Sequence, residues 1–245
     1  MCTVTYLPVP GGFVLTHNRD EAPSRSAGGL MQTLLPQQPP LALLHPRDSL
    51  KGGTWVAASG KGELACLLNG AFVKHAHQPP YRLSRGLMLL EFFGWAQPEH
   101  FFHDFDLEGI EPFTFIYLRQ GRCTEWRWDG SRRHLAHLPP EQPHFWCSAP
   151  LYPPDMQLRR KEVFTRWMQG VRTPHLAEEV WNLHHSGSVG DVEYDFVMNR
   201  GDRVRTVSIT QVALNERGAE MTYEDLLGGN VFQERLSFGA ASVNG

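Results

Sequence analysis

The chain opens Met1-Cys2-Thr3-Val4-Thr5-Tyr6-Leu7-Pro8-Val9-Pro10-Gly11-Gly12-Phe13-Val14-Leu15-Thr16-His17-Asn18-Arg19-Asp20-Glu21. The Pro/Gly cluster at 8–12 is a turn signal between two runs rich in β-branched and aromatic residues, which predicts a hairpin with strands near Cys2–Leu7 and Phe13–His17. If Leu7 faces Phe13, paired residues sum to about twenty and Cys2 stands opposite roughly Asn18. The hairpin then delivers a thiol beside an amide, a guanidinium and two carboxylates, a group of residues suited to chemistry.

Cys2 has a small side chain, so the usual cytosolic processing is expected to remove Met1 and leave Cys2 as the first residue. Its α-amine, with a reference pKa of about 7.7–8, would then be partly unprotonated at neutral pH. Thiol and amine on one residue supply a nucleophile and its base together. Arg19 nearby is expected to favour thiolate over thiol. The competing reading is a small buried hydrophobe on a strand, a common use of cysteine.

Working outward, the 245 residues, 41% hydrophobic and 20% charged, describe an ordinary globular chain long enough for a substantial core, and no linker or repeat divides residues 1–245. A net charge of −3 gives no electrostatic basis for nucleic-acid binding. No apolar run is long enough to span a membrane, and the start lacks a signal-peptide pattern, so a cytoplasmic protein is expected. The four cysteines (Cys2, Cys66, Cys123, Cys147) form neither metal-site nor disulfide spacings.

Ala22–Leu50, rich in Pro, Ser, Gly and Gln, is either a functional loop or a surface excursion with a short strand near Leu41–Leu44. Lys51-Gly52-Gly53-Thr54-Trp55-Val56 enters a second hairpin, Thr54–Ala58 with Glu63–Leu68, ending at Asn69-Gly70. Asn69 is placed to donate to an oxyanion, although Asn-Gly is also a common turn pair. His75 and His77 lack further ligands at metal spacing and are expected to be solvated. Ser84 caps a helix running to Phe93 and stopped by Pro98. A meander follows at Phe113–Leu118, Arg122–Trp128 and Arg133–Leu138, then a strand at His144–Cys147. Trp126 and Trp128 read as core packing.

Val163, Phe164, Trp167, Met168 and Val171 have helical spacing behind Arg159-Arg160-Lys161-Glu162, which reads as a solvated face. Thr173-Pro174 opens another helix, ending in His184-His185; that pair reads as satisfying the last carbonyls, with iron or metal ligation as the competing use. Strands at Val204–Val212 and Glu220–Tyr223 complete the pattern, with little structure expected after Leu226. Strict alternation sets Arg205 on the apolar face of Val207 and Ile209, where it must be an anion clamp or a structural tie. Two strand groups with helices between them indicate an α+β layered sandwich.

Met1-Cys2-Thr3-Val4-Thr5, Asn18-Arg19-Asp20-Glu21 and Gly52-Gly53-Thr54-Trp55 resemble the NRDE family, which includes the eukaryotic transport and Golgi organisation 2 proteins. Leu67-Leu68-Asn69-Gly70, Pro79-Pro80-Tyr81-Arg82 and Thr206-Val207-Ser208-Ile209-Thr210-Gln211 resemble its bacterial branch, so the matches run from residue 2 to about residue 211. The resemblance implies a relation to N-terminal-nucleophile hydrolases of the penicillin V acylase and bile salt hydrolase type, and with it a four-layer αββα sandwich. It implies Cys2 as nucleophile, Arg19 and Asp20 beside it, and Asn69 at the oxyanion. Ser148 falls where those acylases carry a second asparagine, and Arg205 matches their C-terminal arginine. Two functions are thereby in view. One is a cysteine amidohydrolase acting on a linear non-peptide amide with no cofactor. The other is a non-catalytic carrier that uses the same pocket for haem or an acyl-CoA or lipid ligand.

Overall fold

In a computed structural model, which describes residues 2–171 and 175–238, the opening stretch forms the two strands β1 (Cys2–Val9) and β2 (Gly12–Glu21). The turn is shorter than the sequence suggested. Val9 pairs with Gly12, leaving a two-residue turn at Pro10 and Gly11, the latter at φ +75° as only glycine readily allows. Paired residues therefore sum to 21, and Cys2 lies opposite Arg19 instead of Asn18. A shift of one residue exchanges the faces of a strand, so this correction decides which side of the sheet each residue of the tetrad occupies.

The hairpin sits inside a six-stranded antiparallel sheet with order β10-β1-β2-β11-β12-β13, where β10 is His144–Cys147, β11 Arg205–Asn215, β12 Gly218–Asp225 and β13 Asn230–Ser237. The second sheet has seven antiparallel strands in sequence order: β3 (Ala27–Leu35), β4 (Leu41–Asp48), β5 (Val56–Ser59), β6 (Glu63–Asn69), β7 (Phe113–Arg119), β8 (Arg122–Trp128) and β9 (Arg133–Leu138). Residues of both sheets, among them Val4, Leu15, Val56, Cys66, Ile116 and Val212, share one apolar core, so the sheets pack face to face.

Helices cover the outer faces. The helices α1 (Arg85–Phe92) and α2 (Pro98–Asp104) bury Met88, Leu89, Phe92 and Phe101 against Leu43, Ala65 and Phe115 of the second sheet. The longer α3 (Pro154–Gly170) and α4 (Leu176–Ser186) bury Phe164, Val180 and Leu183 against Leu7 and Val14 of the first. The layers are α, β, β, α, as the resemblance implied.

Several expectations need correction. The region 22–50 is mostly the β3–β4 hairpin, whose alternation is interrupted by an irregular register between Ala27 and Leu30. Pro98 opens α2 at its first turn, a position that wastes no N–H. The strand β13 was missed because it is an edge strand with only Leu236 buried and so has no apolar alternation to detect. The cap expected at Thr173-Pro174 lies outside the described residues. Among the described residues no helix is long and apolar enough to cross a membrane.

Trp55 fills the space between the sheets, 5% exposed, with its ring 6.3 Å from that of Tyr223. Replacing it by alanine should cost about 3–5 kcal/mol. Leu34, 71% exposed on β3, should lose no more than about 0.5 kcal/mol on the same change. Urea melts of both variants check this.

Candidate active site

Cys2, Val4 and Tyr6 point from β1 into the space between the sheets, while Thr3, Thr5 and Leu7 point to the helices. Cys2 lines a cavity of about 470 Å³, whose walls also include Arg19, Trp55, Asn69, Tyr81 and Arg85. Burial pushes the Cys2 thiol above its usual value of 9.0, and Arg19 lowers it by less than burial raises it. The expectation that Arg19 makes a thiolate is therefore outweighed by desolvation.

Arg19 has a second duty. Its Nη2 donates to Asp48 Oδ2 at 2.6 Å, its Nη1 donates to the Arg25 carbonyl, and its guanidinium lies 4.2 Å from the centre of the Trp55 ring. Asp48 also accepts from Arg25 at 2.6 Å and from the backbone N–H groups of Leu50 and Lys51. Arg19 thus ties the first sheet to the turn after β4 and builds one cavity wall.

Asp20 comes next along β2, on the helix face, at the amino end of β1. It is fully buried and accepts hydrogen bonds from Tyr152 Oη and Thr206 Oγ1, each at 2.7 Å. Burial raises its pKa above 3.8, opposed by Arg160 and by the two hydroxyls. Arg160 is itself fully buried, donating to the carbonyls of Tyr194 and Asp195 and to Thr3 Oγ1, with its guanidinium 4.1 Å from the Tyr152 ring centre. The solvated reading of the 159–162 run fails at this residue. The signal was present: Arg160 and the buried Phe164 are four apart, on one helix face. Tyr152 carried no sequence signal that distinguished it from a core residue, and Thr206 lay in a quoted motif that gave no hint of its contact with Asp20.

Asn69 ends β6 and lines the cavity. Its carbonyl accepts from Ser148 Oγ at 2.6 Å, and the Ser148 N–H donates to the Cys2 carbonyl at 2.9 Å. Ser148 is buried and holds the end of β6 beside Cys2, with its hydroxyl proton committed to that carbonyl. Arg205 pairs with Glu21 at the start of β11, and a bulge between Thr206 and Ser208 breaks the alternation beyond it. Ile209 pairs with Asn18 and so faces the helices, whereas Arg205 shares the face of Glu21; the single apolar face expected for Arg205, Val207 and Ile209 does not exist. Arg205 is not among the cavity walls, and its Nε is buried without a hydrogen bond.

The glycines of Gly52-Gly53-Thr54-Trp55 have physical causes. Gly52 is at φ +71°, and a Cβ on Gly53 would stand 2.6 Å from the Gly86 carbonyl carbon. Thr54 N–H donates to the Gly86 carbonyl at 3.1 Å, so the first turn of α1 presses on this segment and carries Ser84 and Arg85 to the cavity. Ser84 Oγ caps the helix through Leu87 N–H.

His77 is solvated and His185 meets a carbonyl of the last helical turn, as expected, whereas His75 and His184 depart from expectation. His75 and His77 both contact Glu111 Oε1, at 3.1 and 3.3 Å. His184 turns into the sheet: its Nδ1 donates to Asn18 Oδ1 at 2.6 Å, which leaves Nε2 to accept from Thr5 Oγ1 at 2.8 Å. The Asn18 amide donates in turn to the carbonyls of His184 and Phe196, which fixes its orientation. His185 contacts the Trp181 carbonyl and Glu224.

Two antiparallel sheets between helical layers, with a cysteine at the head of a central strand, define the N-terminal-nucleophile hydrolase class of fold. The chain is similar in structure to a conjugated bile acid hydrolase of Clostridium perfringens carrying alanine for its second-position cysteine, with TM-score 0.55, 10% identity and 100% of each chain covered. A second variant of that enzyme gives TM-score 0.53 and 9% identity over 99% of this chain and 100% of the other. By sequence, the chain belongs to the Transport and Golgi organisation 2 family, whose model matches residues 1–184. No curated protein sequence matches it.

His17 gives the fold a pH dependence. It is fully buried between the sheets; neither ring nitrogen has a hydrogen bond of ordinary geometry, and burial lowers its pKa from 6.5 to about 3 despite a weak contact with the Leu67 backbone. The unfolded chain takes up this proton below about pH 6.5 and the folded chain only near pH 3, so the stability is complete above 6.5 and is lost as the pH falls. Between pH 7 and 4 the loss from this one group should be roughly 3 kcal/mol. In urea melts across that range His17→Leu should show a shallower loss; His184 and His45, also lowered by burial, and the ion-paired carboxyls of Glu21, Asp48, Glu111 and Glu125, held low by their cations, contribute to the slope that remains. Equal slopes in both proteins would contradict the assignment.

Proposed function

We propose that the cavity is the active site of a cysteine amidohydrolase acting on a linear non-peptide C–N bond, once Met1 has been removed. The observation that carries this reading is the position of Cys2: it lines the cavity, while the buried, doubly hydrogen-bonded Asp20 stands at the amino end of the same strand. Because burial raises the thiol pKa, the nucleophile needs a base within reach, and the freed α-amine of Cys2 is that base.

In the proposed reaction Sγ attacks the carbonyl carbon as the α-amine takes the thiol proton. Collapse of the tetrahedral intermediate breaks the C–N bond, and the resulting α-ammonium gives that proton to the leaving amine. Water then attacks the thioester with the same amine as base, releasing the acid and restoring the thiol. Asp20 holds the α-ammonium from the helix side, and the Asn69 amide donates to the oxyanion. Arg19 keeps the wall in place, and Ser148 acts by fixing the end of β6. The likeness to a bile acid hydrolase supports the fold that this chemistry uses and leaves the substrate to the cavity.

The test begins with the intact mass of the native protein, which should lack Met1; retained Met1 blocks the amine and sinks the reading. Asp20→Asn should then lower turnover of an N-acyl amino acid, acyl-homoserine lactone or penicillin V by at least about 100-fold while changing ligand affinity little, because charge on the ammonium matters most in the transition state. Cys2→Ala should abolish turnover with a small change in melting temperature. Tight haem or acyl-CoA binding with no turnover of any amide would instead make the cavity a carrier site.

A further inference from the structure

The charges around the cavity do not cancel in the way its hydrogen bonds require. Its carboxylates are Glu21, Asp48 and Glu111, and every one of their oxygens is engaged. Glu21 accepts from Ala22 N–H and Arg25, and Asp48 from Leu50, Lys51, Arg19 and Arg25. Glu111 contacts His75 and His77 through Oε1 and Arg85 through Oε2, the last at 2.7 Å.

The cations are Arg19, Arg25, Lys51 and Arg85, one more than the carboxylates. Arg19 and Arg25 are tied into the Asp48 network, and Lys51 is exposed. Arg85 differs from these. Its side chain is 14% exposed, and its protein contacts are Nη1 to the Pro112 carbonyl at 2.9 Å and Nη2 to Glu111. Of the five N–H donors of a guanidinium, several have no protein partner among the described residues, and Arg85 lines the same cavity as Cys2.

A ligand entering this cavity therefore meets spare guanidinium donors, carboxylates already engaged by protein groups and an excess of positive charge. A cationic ligand competes with those partners for the carboxylates, and a neutral one leaves the positive charge uncompensated. An anion satisfies both the donors and the charge. Trp55, Leu67 and Leu83 supply apolar surface for the remainder of the molecule.

We propose that the substrate of this site bears a carboxylate and that Arg85 is the residue that binds it, in the cavity that Cys2 lines. This rests on the hydrolase reading for the word substrate, while the anion preference is a property of the cavity itself.

The test uses two probes that differ only in charge, N-hexanoylglycine and its neutral counterpart N-hexanoylglycinamide. Binding is measured by calorimetry on the Cys2→Ala protein, and turnover on the protein with Cys2 intact. The carboxylate should bind roughly 10- to 100-fold more tightly than the amide, as expected for hydrogen bonds to a charged partner. Arg85→Gln should remove that preference, leaving the two probes within about threefold, and Arg85→Lys should keep part of it. Equal binding of both probes in the parent, or no binding of either up to millimolar concentration, overturns the proposal. So does a preference that survives Arg85→Gln. Should Arg85→Gln fail to fold, the parent pair and Arg85→Lys still decide, since a lysine protein whose preference is neither reduced nor lost assigns the anion to another cation. Carboxylate-selective binding with no turnover sinks the hydrolase and keeps the anion site. Turnover of both probes without preference does the reverse.

Discussion

The backbone pairing of Cys2 with Arg19 is the constraint on which the site depends. It sets alternate residues of the tetrad on opposite faces of a sheet covered on both sides. Asn18 and Asp20 go to the helix layer, where Asn18 bonds to His184 and Phe196 and Asp20 to Tyr152 and Thr206. Arg19 and Glu21 go to the other side, where they meet Asp48 and Arg25. Four consecutive polar residues thus fasten one strand to the layers above and below it. Moving the register by one would expose each polar group to the wrong layer, leaving charges buried without partners.

This explains which parts of the molecule were legible in the sequence. Hairpins bounded by Gly and Pro could be read nearly to their ends: β7, β8 and β9 lie within a residue of expectation, because Gly121 and Gly130 punctuate them and their apolar runs are strong. The regions that failed are those where tertiary contacts override local pattern. Arg160 sits in a charged run, yet it is buried because aromatic rings and carbonyls surround it. The bulge in β11 cannot be seen in an alternating sequence, since one unpaired residue switches the face of every later residue in the strand while the composition stays the same. Cys2, Asp20 and Asn69 could be picked out by type and motif. Tyr152 and Arg85 could not, because their contacts are set by neighbours from distant segments.

Burial does more at this site than exclude water. Both the Cys2 thiol and the Asp20 carboxyl are pushed toward their neutral forms, although Arg19 and Arg160 oppose the shift. The thiol is therefore not a preformed anion awaiting a substrate, while two hydroxyls donate to the buried Asp20 carboxyl. On the proposed reading, the thiol ionises only as a positive charge arises at the amino end of β1. A freed α-amine, with a reference pKa of about 7.7–8, is the group that takes its proton there.

That coupling also bears on the choice of nucleophile activation. A thiol can be made reactive by a fixed cation, which lowers its pKa at all times, or by a base that removes its proton only as the bond forms. Here the fixed cation nearest in sequence, Arg19, already has Asp48 at 2.6 Å, and its remaining influence does not overcome desolvation. The first route is therefore closed by the ion pair that holds the wall in place. On the proposed reading the second operates, needs no resident charge on the cavity side, and leaves Arg85 to the ligand. If the site acts as proposed, a permanent thiolate in the cavity would oppose the binding of an anion by Arg85. A thiol that stays neutral until attack leaves that cation to the ligand, so on this reading nucleophile protonation and ligand charge follow from the same buried geometry.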